Sequence, residues 1–318
     1  DFWSTTSSVT LILASIVIER SDLNSKTVAQ SLSLLENILT LRNQFINIHS
    51  DIAPTAASKH IRLFASTNLE SAFLIHIGNS DTQIVSKCAN VCRLLCAEVS
   101  TLRHVIDESD NSVVANYEAY AQLAESSLLS TGRQAQQKAI RTILKKVDRR
   151  TPGNFVAWDE VCFRWNIYTT VVKANEETAA KKDDVNAKKQ KKAPIIEDGL
   201  HKILLTKTPA DVLSEWTNYL GVLCSLNAVT INQGSGRAIG ARATKVDSSA
   251  GPEEFLNGLM DLLVSEYVSI RETVKMMLGN AISPSVFTVL FKTLHIQAKQ
   301  RIFASDQADF SPTSILFA

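Results

Sequence analysis

Apolar residues recur along this chain at three- and four-residue steps, separated by short polar breaks. Residues 27–48 show the pattern most plainly. Val28, Leu32, Leu35 and Leu39 form one stripe, and Leu34, Ile38, Leu41, Phe45 and Ile48 form another beside it. That period predicts a helix, and two adjacent stripes predict one covered on two flanks, as inside a stack of helices. Asp51 to Pro54 breaks it. A further helix is expected over Ser58 to Ile77, with Ile61, Phe64, Leu69, Phe73 and Ile77 inward. Gly78-Asn79-Ser80-Asp81 is a turn cluster. The next helix is expected from about Thr82 to Val105, with Ile84, Cys88, Val91, Leu95, Val99 and Leu102 inward.

The helix-turn-helix over 58–105 has the length of one helical solenoid repeat, roughly 40 to 47 residues. Later segments divide in the same way. Val113 to Ser130 pairs with Arg133 to Val147, Phe155 to Val172 with Ile195 to Leu205, and Asp211 to Leu226 with Glu253 to Glu266. The expected fold is all-α, a HEAT/ARM-like solenoid of antiparallel helix pairs. A single irregular all-α domain is the competing architecture. The expected segments are 1–172, a charged flexible loop 173–194, and 195–318 with a flexible Gly/Ser insert at 232–252.

Between Leu256 and Phe303 the periodic residues are Leu259, Leu262 and Leu263, then Ile270, Val274, Met277 and Leu278. Gly279 suits a helix C-terminus at positive φ. Ser283 is placed to cap the next helix and Pro284 to open it. Val286, Leu290 and Leu294 continue one stripe, and Val289, Ile296 and Phe303 a second.

Three segments depart from the pattern. Trp158, Val161, Trp165 and Tyr168 fall at helical steps in the most aromatic stretch. Stacked rings can serve single-stranded nucleic acid, but Arg164 alone is basic nearby, and core packing is the reading. Glu176 to Lys192 has no apolar period and six lysines. It is read as a solvated helix end and mobile loop, with a nuclear-localisation or phosphate-binding patch as the alternative and nucleic-acid binding through Lys181 to Lys192 as a third. Residues 232–252 carry Gly234, Gly236 and Gly240, one position off the dinucleotide signature and without a surrounding βαβ unit. Arg237 and Arg242 beside serines make a candidate phosphorylation site.

Composition narrows the class. Hydrophobic residues are 45% and charged residues 20% of 318, as in a folded soluble protein. A chain of this length can bury roughly three quarters of its unfolded surface. The 33 basic and 32 acidic residues leave a net charge of +1, with no global pull toward nucleic acid or an anionic membrane. Val9 to Ile18 is too short to span a bilayer, which takes about 20 residues, and is expected as a buried core helix. The chain starts at Asp1 and ends at Ala318 in an apolar run, and is expected to be part of a longer polypeptide.

No chemistry-bearing motif stands out. Cys88, Cys92 and Cys96 share one helix face without further zinc-like spacing, so buried thiols in a reducing compartment are expected. The six histidines, at 49, 60, 76, 104, 201 and 295, show no ligand spacing. His76, among Phe73, Leu74, Ile75 and Ile77, is read as a satisfied core residue. Glu253-Glu254 suits a helix start. No catalytic, cofactor-binding or metal residue is assigned, and no cofactor.

Two blocks carry a family resemblance. Ile270 to Gly279 (IRETVKMMLG), followed by Ser283 to Leu294 (SPSVFTVLFKTL), resembles the segment before the catalytic domain in the neurofibromin family of Ras GTPase-activating proteins. Glu215 to Leu226 (EWTNYLGVLCSL) resembles that family's tryptophan-bearing helix. The order of the blocks and the insert between them agree. The match covers 211–317; over 1–200 it rests on helical character.

The resemblance implies a non-catalytic helical scaffold. It would support an adjacent GTPase-activating domain, homodimerisation of the parent protein and partner binding. Ras itself would be met only through the absent domain, whose arginine finger lies in a Phe-Leu-Arg-type loop downstream. Arg164 in Phe163-Arg164-Trp165 is no match to it. The resemblance also implies tubulin as a partner and a cytoplasmic location, peripheral at the inner face of the plasma membrane through partners. Neither nucleic acid nor stable membrane insertion is expected. The alternative is a general α-solenoid interaction module unrelated to Ras.

Overall fold

The computed structural model describes residues 2–19, 25–49, 54–125, 132–183, 207–231 and 252–299. Every regular element among them is helical, so the all-α expectation holds. The order is α1 (Phe2–Ile18), α2 (Ser25–Ile48), α3 (Lys59–His76), α4 (Thr82–Leu102), α5 (Tyr117–Leu123), α6 (Arg133–Leu144), α7 (Pro152–Asp183), α8 (Pro209–Leu226), α9 (Ala228–Ile231), α10 (Pro252–Leu263), α11 (Val268–Asn280) and α12 (Phe287–Ala298).

Helix starts follow local chemistry. Asp81 accepts from the Gln83 N–H at 2.8 Å at the head of α4. Thr208 accepts from the Asp211 N–H, with Pro209 in the first turn of α8. Before α7, the Thr151 N–H donates to Asn154 Oδ1 while the Asn154 N–H donates to Thr151 Oγ1. This reciprocal cap satisfies two groups that the helix itself leaves unpaired.

Two helical hairpins then stack in register. The Phe2 ring stacks on Phe45 at 3.9 Å, which closes α1 against α2. Asn43 of α2 donates to the Leu94 carbonyl of α4, and Lys87 of α4 donates to Ser33 of α2. Higher positions on α2 meet higher positions on α4, so those two helices run parallel. The same holds for α1 on α3, where Arg62 lies over Trp3 and His76 meets Val17. Helix α3 also packs on α7, and is buried on nearly every side.

The later helices centre on rings. Helix α8 runs along α7, with the Trp158 Nε1–H donating to the Leu223 carbonyl and the Trp216 Nε1–H to Thr169. Phe255 of α10 meets Trp158 and Trp165 edge-on at 5.6 and 5.5 Å. The Arg141 side chain of α6 lies across Gly221 of α8, where a Cβ would strike it. Trp158, Val161, Trp165 and Tyr168 are therefore core, as their spacing predicts.

Several expectations change. Helix α1 is not enclosed: Trp3, Ser7, Thr10, Ala14 and Val17 face inward, while Val9, Ile12 and Ile16 are 40%, 61% and 37% exposed. The second stripe of α2 is open as well, with Leu34 at 51%, Leu41 at 65% and Ile48 at 74%. Among the described residues nothing packs on that side of the α1–α2 layer. Ile61 and Phe64 are only half-buried. The segment from Val113 holds a short 3₁₀ turn and the seven-residue α5 rather than one long helix.

The charged stretch starts on α7, which runs to Asp183, so 173–183 is helix rather than loop. Helix α11 runs past Gly279 to Asn280 and ends without a left-handed residue. There Lys145 donates to the Asn280 carbonyl and the Ala281 N–H to the Met277 carbonyl, so the last turn is satisfied without a glycine cap. Pro284 opens a 3₁₀ turn as expected, but Ser283 Oγ pairs with Ser285 instead of capping it. Leu290 is buried, Leu294 half-buried and Ile296 exposed. The lysine run 184–192, the helix expected at 195–205, the insert 232–251 and Phe303 lie outside the described residues.

Candidate functional site

Charged side chains in the interior gather into three clusters. The first joins the stacked hairpins. Arg42 of α2 donates through Nη2 to Glu98 of α4 at 2.9 Å, and through Nη1 to Thr6 and Ser7 of α1. Arg62 of α3 donates to Asp110 at 2.9 Å. Trp3 lies between the guanidinium groups, 5.2 Å from Arg42 and 6.0 Å from Arg62. The cavity they line holds about 20 Å³, room for a water molecule and not for a substrate.

The second cluster surrounds Glu70 of α3, which is fully buried. Tyr120 of α5 donates its hydroxyl at 2.5 Å and Thr151 at 2.8 Å. Burial raises this carboxyl to about 7, while the hydroxyls pull it back down. The third lies where the α3–α4 turn meets α7 and α8. Glu215 accepts from Tyr168, from Ser80 at 2.6 Å and from Lys207 at 2.6 Å. Beside it Arg164 pairs with Glu160 at 2.8 Å. Burial and the carboxylate push the Tyr168 phenol up, so it stays protonated.

Among the described residues none of these clusters lines a substrate-sized cleft. The charged groups of the first and third are engaged with one another, across elements or, for Arg164 and Glu160, within α7. Arg164 is 1% exposed and holds Glu160, so it cannot reach out to a nucleotide. The His76 Nε2–H donates to the Val17 carbonyl at 3.0 Å, and the ring is held neutral, its pKa lowered to about 3 by burial and then by Arg164. The five thiols are free and buried. Burial raises Cys162 and Cys224 to about 12, which keeps them unreactive. Among the described residues no three His, Cys, Asp or Glu side chains converge as a metal site, and no single helix is long and apolar enough to cross a membrane.

The surface feature that does stand out is the outer side of α1 and α2. Leu34, Leu41 and Ile48 fall seven residues apart, with half-buried Ile38 and Phe45 between them. This is the spacing of a seam that packs against another helix. Val9, Ile12 and Ile16 extend the patch across α1, and no charged residue occurs from Phe2 to Ile18. The Phe2–Phe45 ring contact joins the two helices at one end of these stripes. Sequence reading located every residue of this patch but assigned it to the interior. It missed Glu70, Glu98 and Arg42, which look like ordinary exposed charges within amphipathic helices. No protein-family model matches the chain.

Proposed function

We propose that the chain is a non-catalytic helical scaffold from a Ras GTPase-activating protein of neurofibromin type, with a HEAT/ARM-like solenoid built from stacked hairpins. The observation that carries the scaffold reading is the contrast just drawn. Most interior charges are consumed in fastening one element to the next, while the outer side of α1–α2 offers an apolar seam of the kind other helices pack on. Parallel stacking of α1–α2 on α3–α4 supports the solenoid part. The two blocks at 215–226 and 270–294 support the Ras part.

In this reading the chain holds an adjacent GTPase-activating domain, contributes to homodimerisation and partner binding, and meets Ras only through that domain. Tubulin and a cytoplasmic, membrane-peripheral setting come with the family resemblance. The test compares Ras GTP hydrolysis with this chain and with a parent polypeptide extended past Ala318. The expected result is no stimulation by the chain and strong stimulation by the extended form. Stimulation by the chain alone overturns the non-catalytic reading. An inactive extended form overturns the Ras assignment and leaves an α-solenoid interaction module.

A further inference from the structure

We propose that Glu70 is a proton-operated latch: protonated, it locks α3 to α5 and to the start of α7, and ionised, it loosens that joint. The carboxyl is 0% exposed. Its hydrogen bonds come from two directions: the Tyr120 hydroxyl on α5 at 2.5 Å and the Thr151 hydroxyl at the head of α7 at 2.8 Å. One residue further along α3, Ser71 donates to the Gly153 carbonyl at 2.8 Å. A Cβ at Gly153 would overlap both the Glu70 carboxylate and the Thr67 carbonyl, so helix and acid meet with no slack. A charge appearing in this seat has no room to draw in water.

The titratable groups facing it are Tyr120 on α5 and Cys92 on α4. Both are pushed up by burial and stay neutral. Serine, threonine and asparagine side chains complete the surroundings, and no cation is among the groups that shift it. Arg42 and Arg62, by contrast, each come with a carboxylate. The N-terminal end of α7, where Gly153 abuts the carboxylate, offsets part of a buried charge and not all of it. Burial raises the carboxyl to about 7. The proton therefore leaves within the neutral range, and the joint between the stacked hairpins and α7 weakens as it does. This inference does not depend on the Ras assignment.

The test is hydrogen exchange of the full chain between pH 6 and 8, corrected for the intrinsic pH dependence of exchange. In the wild type, opening of α5 and the first turns of α7 is expected to rise about fivefold from pH 6 to 7 and to level off above that. Glu70→Gln keeps the shape and removes the charge, and should abolish that rise. Tyr120→Phe removes a donor that favours the ionised form, and should move the rise to higher pH. A flat wild-type profile, or the same rise in Glu70→Gln, overturns the latch. If Glu70→Gln does not fold, Tyr120→Phe decides: a rise moved upward supports the latch, and an unmoved one refutes it.

Discussion

The joint between α2 and α4 and the joint between α7 and α8 hold helices together by different means. At the first, ionic groups are buried in pairs, Arg42 with Glu98 and nearby Arg62 with Asp110, under the Trp3 ring. At the second, Trp158, Trp165, Trp216 and Phe255 fill the space; the buried Arg164–Glu160 pair there lies within α7 itself, and Lys207 meets Glu215 beside the rings. A ring contact gains mostly from buried area, and a shift costs it gradually. A buried ion pair contributes little net stability but penalises any other arrangement, because a displaced partner leaves a charge unpaired. The N-terminal joint is thus fixed in register, and the later joint is fixed by volume.

Removing volume should cost most. Trp216→Ala opens a cavity beside Trp165 and is expected to lose about 4 kcal/mol in urea unfolding. A loss below about 1 kcal/mol would mean the ring is not core. Glu98→Leu strands the Arg42 guanidinium and should lose about 3 kcal/mol.

Next come two buried groups on α3 with opposite proton linkage. Glu70 is raised to about 7, so its contribution is full below its unfolded value and is lost as pH rises through 7. His76 is lowered to about 3, so its contribution is full above its unfolded value and is lost as pH falls toward 3. Between pH 6.5 and 5 the two slopes oppose, each about 2 kcal/mol. As far as these two groups go, wild-type stability should be nearly level there. Glu70→Gln should lose stability toward acid, and His76→Gln toward neutral pH. Thermal melts of the three proteins check this, and parallel profiles would refute it.

Thr151→Ala removes the cap of α7 and a donor to Glu70, and should cost about 1 kcal/mol. Smallest is Leu41→Glu on the open seam, expected within about 0.5 kcal/mol of wild type in melts. A large loss there would mean the seam is covered within the chain itself.

These contrasts also mark how far the sequence could be read. The stripes of α4, with Ile84, Cys88, Val91, Leu95, Val99 and Leu102, went inside as their period required. The rings at 158, 165 and 168 did too. Periodicity reports which face of a helix wants cover. It does not report whether cover is there, so Leu34, Leu41 and Ile48 read the same as Leu32, Leu35 and Leu39. Buried charges were hidden for a second reason. Arg42 and Glu98 are 56 positions apart, and only the stacking of hairpins brings them together. Glu70 sits one residue after Leu69 on a helix whose polar face would be solvated if α7 did not cover it. The cap of α11 was misread because part of its satisfaction comes from Lys145, which follows α6 far away in sequence.

The parallel stacking of α1–α2 on α3–α4 is the claim on which the solenoid part of the proposal stands, and a double-mutant cycle on Arg42 and Glu98 tests it most directly. Arg42→Met, Glu98→Leu and the double variant would be unfolded in urea alongside the wild type. A coupling of about 1–3 kcal/mol is expected, with the double variant recovering most of the loss of either single one. Strictly additive losses would mean that the two residues do not meet, and that α2 does not lie on α4 in this register.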